Sequence, residues 1–377
     1  MIPLRITHLT TVHPRGDPRI FLKQVKTLAA NFPHEVHAIV ADGKGSSTTD
    51  PGSVYVQDLG HLGKGRLRRV LLGSWQAFLT IRRINPVIIH FHDPELILLG
   101  LLLKLYGYKI IYDVHEDMPR QILSKYWIPK LFRRPVAFAV GALESFAAYV
   151  FDAMVLATPK IAERFPSHNK IIVKNYPICS ELLMPCRTPY RKRPPSFAYI
   201  GSIAKVRGAV EMIRALEHLS DIPSASIQLA GDFRPSALSD ELQALPAWEA
   251  VHYCGQVGRV EVARILDRVI AGLVTLHPRP NYIDSYPIKM FEYMSAGLPV
   301  IASDFPLWRQ IIEDTGCGVL VDPLKPQSIA DAMRWILEHP FEAEAMGQRG
   351  LKAVEEVYNW NLESTKLVRL YKDLLAL

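Results

Sequence analysis

The feature that most constrains the fold of this chain is a repeated alternation of short apolar segments with helical segments. Short runs of this kind are typical of parallel strands that helices cover on both faces. In the N-terminal half the predicted strands are residues 5–11, 35–40, 53–58, 87–92, 109–114, 153–157 and 170–174. In the C-terminal half they are residues 197–202, 226–232, 251–255, 271–276, 299–302 and 318–321. The pattern predicts an α/β protein with two Rossmann-like domains.

The two series also suggest where the domains begin and end. A chain of 377 residues can bury two cores. Residues 176–196 are rich in proline and basic residues and lack periodicity, so we interpret them as a linker. We therefore expect an N-terminal domain at 1–175 and a C-terminal domain at 197–357, followed by an amphipathic helix at 361–377.

Residues 277–303, HPRPNYIDSYPIKMFEYMSAGLPVIAS, contain the most informative set of candidate functional residues. They predict a loop, a short helix opened by Pro287 and closed by Gly297, and a buried strand. Amides at a helix N-terminus have no intrahelical acceptor, and the helix dipole favours an anion there. The amides in question are those of Ile288, Lys289 and Met290.

Two acidic residues flank the start of that helix. Asp284 lies in the preceding loop and Glu292 lies within the helix, with seven residues between them. On spacing alone, a helix-capping aspartate and a solvent-facing glutamate are the favoured interpretation.

The longer motif, P-x-K-M-F-E-Y-M-x-A-G-L-P-V-I-A-S together with the preceding acid, resembles the donor site of retaining glycosyltransferases of family 4. That resemblance implies the GT-B fold, in which two Rossmann-like domains face each other across a cleft and the last helix packs back on the N-terminal domain. It also implies that Glu292 holds the ribose of a nucleotide sugar and that Asp284 contacts the donor sugar. The family usually has Glu where this chain has Asp284, so the shorter side chain leaves its role less defined.

The first turn of the C-terminal domain extends the resemblance. Residues 199–208 match the family's turn with two basic residues that clamp the diphosphate. Arg207 occupies the second basic position and could stabilise leaving-group charge, although a surface arginine is the alternative. Ser202 occupies the first basic position, and Lys205 could supply the missing basic side chain. The glycines expected to approach the donor are Gly201 and Gly231.

The loop after the first strand, HPRGDPR, is a second candidate donor contact. The resemblance places it near the donor phosphate and the acceptor, with Gly16 as a backbone contact. A plain turn glycine is the alternative, and no G-x-G-x-x-G fingerprint is present.

Polar clusters follow two neighbouring strands, at 90–95 and 113–117. The resemblance maps the acceptor-side histidine of the family to His115, which could contact a sugar hydroxyl or take up charge. The candidate acceptor-side residues are His92, Asp93, His115 and Glu116. A metal site is the weaker interpretation because no ligand spacing is present and GT-B enzymes are generally metal-independent.

Residues 64–83 and 124–151, the second of which contains Trp127, combine basic residues with apolar helical patterns. Such segments suit an anionic membrane surface, and a core helix with a solvated basic edge is the alternative. The formal net charge is +7, but no nucleic-acid motif accompanies it, so we expect no nucleic-acid partner.

The resemblance implies a metal-independent hexosyltransferase that needs no cofactor. It would transfer sugar from a UDP- or GDP-sugar to a glycan or lipid-linked acceptor, with His115, Asp284 and Glu292 in catalytic positions. A role in cell-envelope polysaccharide or glycolipid synthesis follows from the range of the family. A GT-B nucleotide-sugar 2-epimerase and a non-catalytic nucleotide-sugar-binding module are the alternatives.

Cysteine use and the N-terminus bear on localisation. Cys179, Cys186, Cys254 and Cys317 form no C-x-x-C pair, so we expect reduced thiols. Residues 1–14 lack the apolar core of a signal peptide. We therefore expect a cytoplasmic protein, with contact at the inner face of the plasma membrane as an open alternative.

Overall fold

The computed structural model describes residues 4–376 except 50–53, 64, 126–127, 166–168, 183 and 185–186. Lys64, Trp127 and Cys186, which belong to features discussed above, lie outside the described residues. The chain forms two compact units. Unit 1 comprises Met1–Asn175 and Asn361–Leu377, and unit 2 comprises Tyr176–Trp360.

Unit 1 contains an eight-stranded sheet in the order β3-β4-β2-β1-β5-β6-β7-β8. The strands are β1 (Arg5–Leu9), β2 (Glu35–Val40), β3 (Ser47–Thr49), β4 (Val54–Asp58), β5 (Ile88–Phe91), β6 (Lys109–Val114), β7 (Ala153–Leu156) and β8 (Lys170–Ile172). Every pairing is parallel except that of β3 with β4. The sequence pattern did not predict β3, because its three polar residues carry no apolar signal and pair at the edge of the sheet. Apart from β3, the order is that of a doubly wound sheet, and the winding reverses between β1 and β5.

The helices of unit 1 pack around a core formed by the apolar side chains of β1, β5, β6 and β7. They are α1 (Lys26–Asn31), α2 (Arg66–Ile84), α3 (Ile97–Leu105), α4 (Met118–Ser124), α5 (Lys130–Val150) and α6 (Pro159–Ala162). A π-type segment, Pro18–Val25, runs directly into α1, and a 3-10 turn, Pro94–Leu96, precedes α3.

Unit 2 contains a six-stranded, fully parallel sheet in the order β11-β10-β9-β12-β13-β14. The strands are β9 (Ser196–Ile200), β10 (Ser226–Ala230), β11 (Val251–Gly255), β12 (Ala271–Val274), β13 (Val300–Ser303) and β14 (Gly318–Val321). Numbered within the unit this is the order 3-2-1-4-5-6 of a Rossmann sheet, with its switch point between β9 and β12. The prediction of two Rossmann-like α/β domains is confirmed.

The helices of unit 2 cover both faces of this sheet. They are α7 (Ala209–Ala215), α8 (Leu238–Gln243), α9 (Arg259–Leu266), α10 (Pro280–Ile283), α11 (Ile288–Ser295), α12 (Pro306–Thr315), α13 (Pro326–Glu338) and α14 (Pro340–Glu356). Short 3-10 turns occupy Cys179–Glu181, Tyr190–Lys192, Lys205–Arg207, Leu216–Leu219 and Pro246–Ala250.

The segment interpreted as a linker belongs, in its described residues, to unit 2. Tyr176, Leu182 and Tyr190 are buried in the core of that unit. The Tyr190 hydroxyl donates a hydrogen bond to the Ile270 carbonyl over 2.7 Å. These buried side chains attach the segment to unit 2, which its proline-rich, aperiodic sequence did not reveal.

The last helix, α15 (Trp360–Leu375), belongs mainly to unit 1. Its Tyr371 is fully buried there, and its Glu363 carboxylate accepts a hydrogen bond from the Lys174 amide over 2.9 Å. Among the described residues, no helix combines the length and low charge that crossing a membrane requires.

Candidate functional site

In unit 2, three loops meet in backbone contact beyond the carboxyl ends of β9, β10 and β12. Gly208 has φ +76°, and a Cβ there would lie 2.1 Å from the Thr275 carbonyl oxygen. Gly231 has φ +140°, and a Cβ there would lie 2.0 Å from the Gly201 carbonyl oxygen. Only glycine fits either position. Parallel sheets bind ligands at this edge, next to the switch point.

The Lys289 side chain reaches into this loop junction from α11. Its Nζ lies 3.5 Å from the centre of the Tyr199 ring, and a Cβ on Gly201 would lie 3.1 Å from the same nitrogen. The nitrogen is shielded from solvent and has no hydrogen-bond partner among the described residues. Burial and the neighbouring charge of Arg207 lower the pKa of Lys289 well below its ordinary value, against the opposing charge of Glu292. A desolvated amino group with unused donors is suited to an anionic ligand, whose charge would favour its protonated form.

The predicted basic pair is arranged differently from the expectation. Arg207 is half-buried and close enough to Lys289 for the two charges to interact. Lys205 instead forms an exposed ion pair with Glu241, with Nζ and Oε1 2.6 Å apart. The Ser202 carbonyl accepts a hydrogen bond from the Tyr199 hydroxyl over 2.8 Å, which fixes the turn. The second basic side chain beside Arg207 is therefore that of Lys289. The sequence had suggested only the backbone amide of Lys289 as a contact for an anion.

The start of α11 also differs in detail from the prediction. Pro287 directly precedes the helix, which begins at Ile288. The Met290 amide donates to the Pro287 carbonyl over 3.0 Å, so it is already engaged. Of the three predicted amides, those of Ile288 and Lys289 remain the candidates for an anion. Gly231, also predicted to contact the donor, packs with its α-carbon against the carbonyl of Gly201 and supports that turn.

Glu292 is half-buried and held by an arginine that the sequence pattern did not single out. The Arg259 Nη1 donates to Glu292 Oε1 over 2.7 Å. The same guanidinium donates through Nη2 to Glu181 Oε2, also over 2.7 Å. Arg259 lies at the first position of α9, far from Glu292 in sequence, and no local motif relates the two. The pair orients one carboxylate oxygen of Glu292 and leaves the other for a ligand.

Asp284 ends the short helix α10 and is half-buried. The loop that carries it is fixed by Trp308, whose Nε1 donates to the Ser285 carbonyl over 2.8 Å. The structure thus places Asp284 and Glu292 on either side of the start of α11.

In unit 1, a pocket of about 790 Å³ opens beyond the carboxyl ends of β5 and β6. Its polar lining includes His115, Asp93 and Glu116, as predicted for an acceptor site. His115 is half-buried, and its Nδ1 has no hydrogen-bond partner among the described residues. Glu116 is exposed at the rim. These positions agree with a site for a polar ligand, since unused polar groups converge in one concave surface.

His13 is a pocket residue that the sequence pattern did not indicate. Its ring meets the His115 ring edge to face, with the centroids 5.2 Å apart. Its Nδ1 lies 3.2 Å from Asp17 Oδ2, and its Nε2 lies 3.6 Å from Asp93 Oδ1. Burial opposes the charged form, but the hydrogen bond to Asp17 and the charge of Asp93 outweigh it and raise the pKa of His13. The only sequence signal is its place in the loop after β1.

Asp93 organises the loop that bears His13. Its Oδ2 accepts hydrogen bonds from the Thr11 amide over 2.6 Å and from the Thr10 hydroxyl over 2.9 Å. Burial raises the pKa of this carboxyl, although the hydrogen bonds of the loop oppose the shift. Asp93 Oδ1 therefore lies near His13 in the pocket, whereas Oδ2 holds the loop that bears His13.

Gly16 lies just before a helix end whose first amides are hydrogen-bonded within the chain. The Asp17 carboxylate accepts hydrogen bonds from the Arg19 and Ile20 amides, each over 2.9 Å. The first amides of the π-type segment are thus capped by the chain itself. A Cβ on Gly16 would touch nothing within 4 Å, so packing does not require glycine there. A backbone contact of Gly16 with the donor stays a prediction.

His92 lies in the pocket wall, but it is fully buried and both ring nitrogens are engaged. Its Nδ1 lies 3.0 Å from Asp113 Oδ2, and its Nε2 lies 3.0 Å from His8 Nδ1. The Arg19 guanidinium binds Asp113 through two hydrogen bonds and keeps the pKa of that carboxyl well below its ordinary value, although burial alone would raise it. His92 thus stabilises the wall of the pocket, and neither of its ring nitrogens is left to contact a ligand.

The ionised Asp113 determines the direction of a longer hydrogen-bonded chain. A carboxylate only accepts, so His92 donates from Nδ1 and must accept from His8 at Nε2. His8 Nε2 then accepts from the Tyr371 hydroxyl over 3.3 Å. The Tyr371 oxygen in turn accepts from His90 Nδ1 over 2.9 Å. All three histidines are neutral: burial lowers each pKa, that of His92 to about 3.

The same three histidines are a group that could hold a metal ion, since one ring nitrogen from each lies within 4.8 Å of the others. The hydrogen bonds already engage both ring nitrogens of His8 and His92, and leave only Nε2 of His90 without a partner among the described residues. The rings of His90 and His92 are also stacked, with centroids 4.8 Å apart. This arrangement fits a hydrogen-bonded chain better than a set of ligands converging on one ion.

The two Rossmann sheets, together with a cationic site in unit 2 and a polar pocket in unit 1, define a nucleotide-sugar-dependent transferase of the GT-B class. Residues 19–173 match the family model described as Glycosyltransferase Family 4, and residues 185–353 match the model described as Glycosyl transferases group 1. The chain belongs to the family 4 glycosyltransferases, which confirms the resemblance found in the sequence.

Individual relatives are distant. The chain is 20% identical over 297 residues to MMP alpha-(1->4)-mannosyltransferase of Mycolicibacterium hassiacum, covering 76% of this chain and 70% of that protein. Sucrose-phosphate synthase from Thermosynechococcus elongatus superposes with a TM-score of 0.76 at 16% identity, covering 99% of both chains. Anabaena HepE in complex with UDP-glucose superposes with a TM-score of 0.72 at 12% identity, covering 99% of this chain and 100% of that chain. The solved structures confirm the GT-B fold.

Proposed function

We propose that this protein is a retaining glycosyltransferase that moves a sugar from a UDP- or GDP-sugar to a hydroxyl of a cell-envelope glycan or glycolipid. The observation that carries the proposal is the Lys289 amino group, which is desolvated, lacks a hydrogen-bond partner among the described residues and lies beside Gly201. Arg207 adds a second positive charge at the same place. Two cations at the carboxyl edge of a Rossmann sheet suit a nucleoside diphosphate.

Each donor residue then has a defined task. Lys289 and Arg207 neutralise the charge that develops on the departing diphosphate, which is how fixed cations lower such a barrier. Glu292, oriented by Arg259, accepts hydrogen bonds from the ribose hydroxyls. Asp284 contacts the donor sugar from the loop before α11. The two cations perform the task that a divalent ion has in other transferases, so we propose that transfer requires no metal.

The acceptor occupies the pocket of unit 1. His115 and His13 line that pocket, and His115 Nδ1 lacks a hydrogen-bond partner among the described residues. Asp93 holds the loop that bears His13 in place. Retention of configuration proceeds by attack on the face from which the diphosphate leaves, and the leaving phosphate takes the proton of the acceptor hydroxyl. This route assigns no covalent nucleophile to the protein, and the histidines serve to position the hydroxyl.

Two comparisons support the nature of the substrates. The relative from Mycolicibacterium hassiacum is an alpha-(1->4)-mannosyltransferase, and HepE forms a complex with UDP-glucose. The choice between uracil and guanine and the role in the cell envelope are proposals that rest on these relatives and on the family.

We also propose that the protein is cytoplasmic and contacts the inner face of the plasma membrane. Helices α2, α3 and α5 contain nine basic residues and one acidic residue, Glu144, which is buried. Large apolar side chains are exposed on the same helices, among them Trp75, Leu105 and Phe138 at 60%, 85% and 79%. Apolar side chains beside an excess of cations suit an anionic lipid surface.

Titration calorimetry with UDP and GDP tests the donor site. We expect one of them to bind, and Lys289→Met to weaken its affinity by about 10- to 100-fold, because a charged hydrogen bond is lost. Lys205→Met is the matched control, since Lys205 pairs with Glu241, and it should leave the affinity within about twofold. Equal losses in both variants, or binding of neither nucleotide, would contradict the proposal.

The chemistry is tested by incubating the protein with the bound class of nucleotide sugar in EDTA, with and without an acceptor alcohol. We expect transfer only with the alcohol, and NMR of the product should show the anomeric configuration of the donor. Conversion of the donor without an acceptor would indicate an epimerase, and an inverted product would exclude the retaining mechanism.

A further inference from the structure

An apolar groove of about 1030 Å³ lies against the polar pocket of unit 1. The two cavities share the wall formed by Pro94, Glu95, Met118 and Ile122. Beyond that wall the groove is lined by the apolar side chains of α4 and α5 and of the segment between them, including Ile128, Phe132 and Val136. A polar cavity that adjoins an apolar one suits a ligand with a polar head and a hydrocarbon tail.

The groove is stable without being filled by the chain's own side chains. Ile122 and Ile128 line the groove and are buried in one cluster with Ala137. Phe132, at 56% exposure, and Val136, at 38%, stand along its open side. Large apolar side chains exposed in a row are unfavourable in water, so a concave surface of this kind indicates a ligand or a partner.

The charges around the groove favour an anionic amphiphile. Lys125 lines the polar pocket next to the shared wall. Lys130, Arg133 and Arg134 follow at the start of α5, and the Arg133 Nε donates to the Ile128 carbonyl over 2.8 Å, which holds it at the groove. The only acidic residue of α5, Glu144, is buried. Asp93, Asp113 and Glu116 line the polar pocket itself. The carboxylate of the shared wall, Glu95, is paired with Arg69, with Oε2 and Nη2 2.9 Å apart. The excess of positive charge therefore lies on the groove side of the junction, at Lys125 and the start of α5.

We infer that the groove binds the hydrocarbon chain of a lipid-linked acceptor, whose phosphate lies near Lys125 and whose sugar hydroxyl lies in the polar pocket. The inference rests on the proposed function, because it assigns the acceptor to that pocket. It names the acceptor class: a sugar joined through phosphate to a long hydrocarbon chain. Other occupants, such as an apolar face of a second copy of the chain, would use the groove but not the polar pocket.

The test uses the full chain and n-alkyl phosphates of six, eight and ten carbons below their critical micelle concentrations, with inorganic phosphate as the reference. We expect affinity to rise by roughly fourfold for each added methylene, as burial of a hydrocarbon chain predicts. Phe132→Gln should remove most of that dependence. Phe138→Gln is the matched control, because Phe138 lies on the same helix, is 79% exposed and does not line the groove.

The outcomes distinguish a hydrocarbon chain held in the groove from one held elsewhere on the protein. Affinity that does not change with chain length, or that falls equally in the two phenylalanine variants, would overturn the inference. A concentration-dependent dimer that alkyl phosphates do not dissociate would assign the groove to a second copy and would overturn it too. Nucleotide binding is measured on the same variants: if UDP and GDP both fail to bind, the proposed function fails, whereas normal nucleotide binding without chain-length dependence rejects the groove alone.

Discussion

The Arg259 guanidinium donates a hydrogen bond to the Glu292 carboxylate over 2.7 Å, and through its other nitrogens it binds Glu181. Arg259 thereby fixes the orientation of the residue assigned to the ribose. A carboxylate that is held on one oxygen presents the other in a defined direction, which suits a pair of adjacent hydroxyls.

This geometry predicts how ribose recognition depends on the pair. Glu292→Gln should weaken nucleotide binding by about tenfold or more, because hydrogen bonds to a charged acceptor are lost. The 2′,3′-dideoxy nucleotide should bind the wild-type protein about as weakly as the normal nucleotide binds the Glu292 variant. The Glu292 variant should bind the dideoxy nucleotide no more weakly than the normal one. Arg259→Met should give a smaller, severalfold loss. Calorimetry with both nucleotides measures these effects, and a Glu292 variant that still distinguishes the two sugars would refute the assignment.

The lowered pKa of Lys289 predicts a pH dependence of donor binding. In the free protein burial and Arg207 favour the neutral amine, whereas a bound diphosphate favours the ammonium and raises the pKa. Binding therefore takes up a proton once the pH exceeds the free pKa of Lys289, and affinity falls as the pH rises further above that pKa. Lys289→Arg, which stays charged, should bind without this fall.

Calorimetry in two buffers of different ionisation enthalpy detects that proton uptake. Wild type should show it and Lys289→Arg should not. Identical pH profiles for the two proteins would show that another group titrates.

The neutral histidine chain of unit 1 predicts lower stability in acid. His8, His90 and His92 have lowered pKa values in the folded protein and ordinary values near 6.5 when unfolded. Below about pH 6.5 the unfolded chain binds protons that the folded chain does not, so the free energy of unfolding falls as pH decreases. Each histidine contributes up to about 1.4 kcal/mol per pH unit. His13, whose pKa is raised, contributes in the opposite sense.

Denaturant unfolding of unit 1 between pH 6.5 and 5 measures the slope. His90→Gln should reduce the slope of the free energy of unfolding against pH by up to about 1.4 kcal/mol per pH unit, because it removes one buried neutral histidine. The matched control is His252→Gln on an exposed residue of unit 2, for which the slope should stay unchanged. If the slope of the His90 variant equalled that of wild type, the buried chain would not be the cause.

The contact between Gly231 and Gly201 predicts a strong effect of one methyl group. Gly231→Ala places a Cβ against the Gly201 carbonyl at a positive φ, which should cost about 2–4 kcal/mol of stability in unit 2 and displace the turn next to Lys289. Gly258→Ala is the control, because a Cβ there meets nothing within 4 Å. Thermal unfolding compares the two, and equal stability would contradict the packing described.

The sequence predicted the two parallel sheets well, because buried parallel strands are continuous apolar segments. Such segments can be recognised without knowing which strands they pair with. It did not indicate β3, whose Ser-Thr-Thr sequence pairs only at an edge. It also did not reveal that Tyr176 and Tyr190, in the segment interpreted as a linker, are buried in unit 2, because their partners lie far along the chain.

A local motif was sufficient to predict that Asp284 and Glu292 lie next to and within α11. The site could not be predicted where the position of a side chain depends on contacts with residues far away in the sequence. Lys289 appeared as a helix amide, and only the fold brings its side chain onto Tyr199 and beside Gly201. His92 appeared as an acceptor contact, but its neighbours on β1 and β6 bury it and engage both nitrogens.

A crystal structure of the protein soaked with UDP or GDP tests the central claim most directly. We expect diphosphate density at the carboxyl edge of the unit 2 sheet, with phosphate oxygens within hydrogen-bonding distance of Lys289 Nζ and the ribose against Glu292. Density for the nucleotide at any other place, with the Lys289 nitrogen still lacking an acceptor, would contradict it.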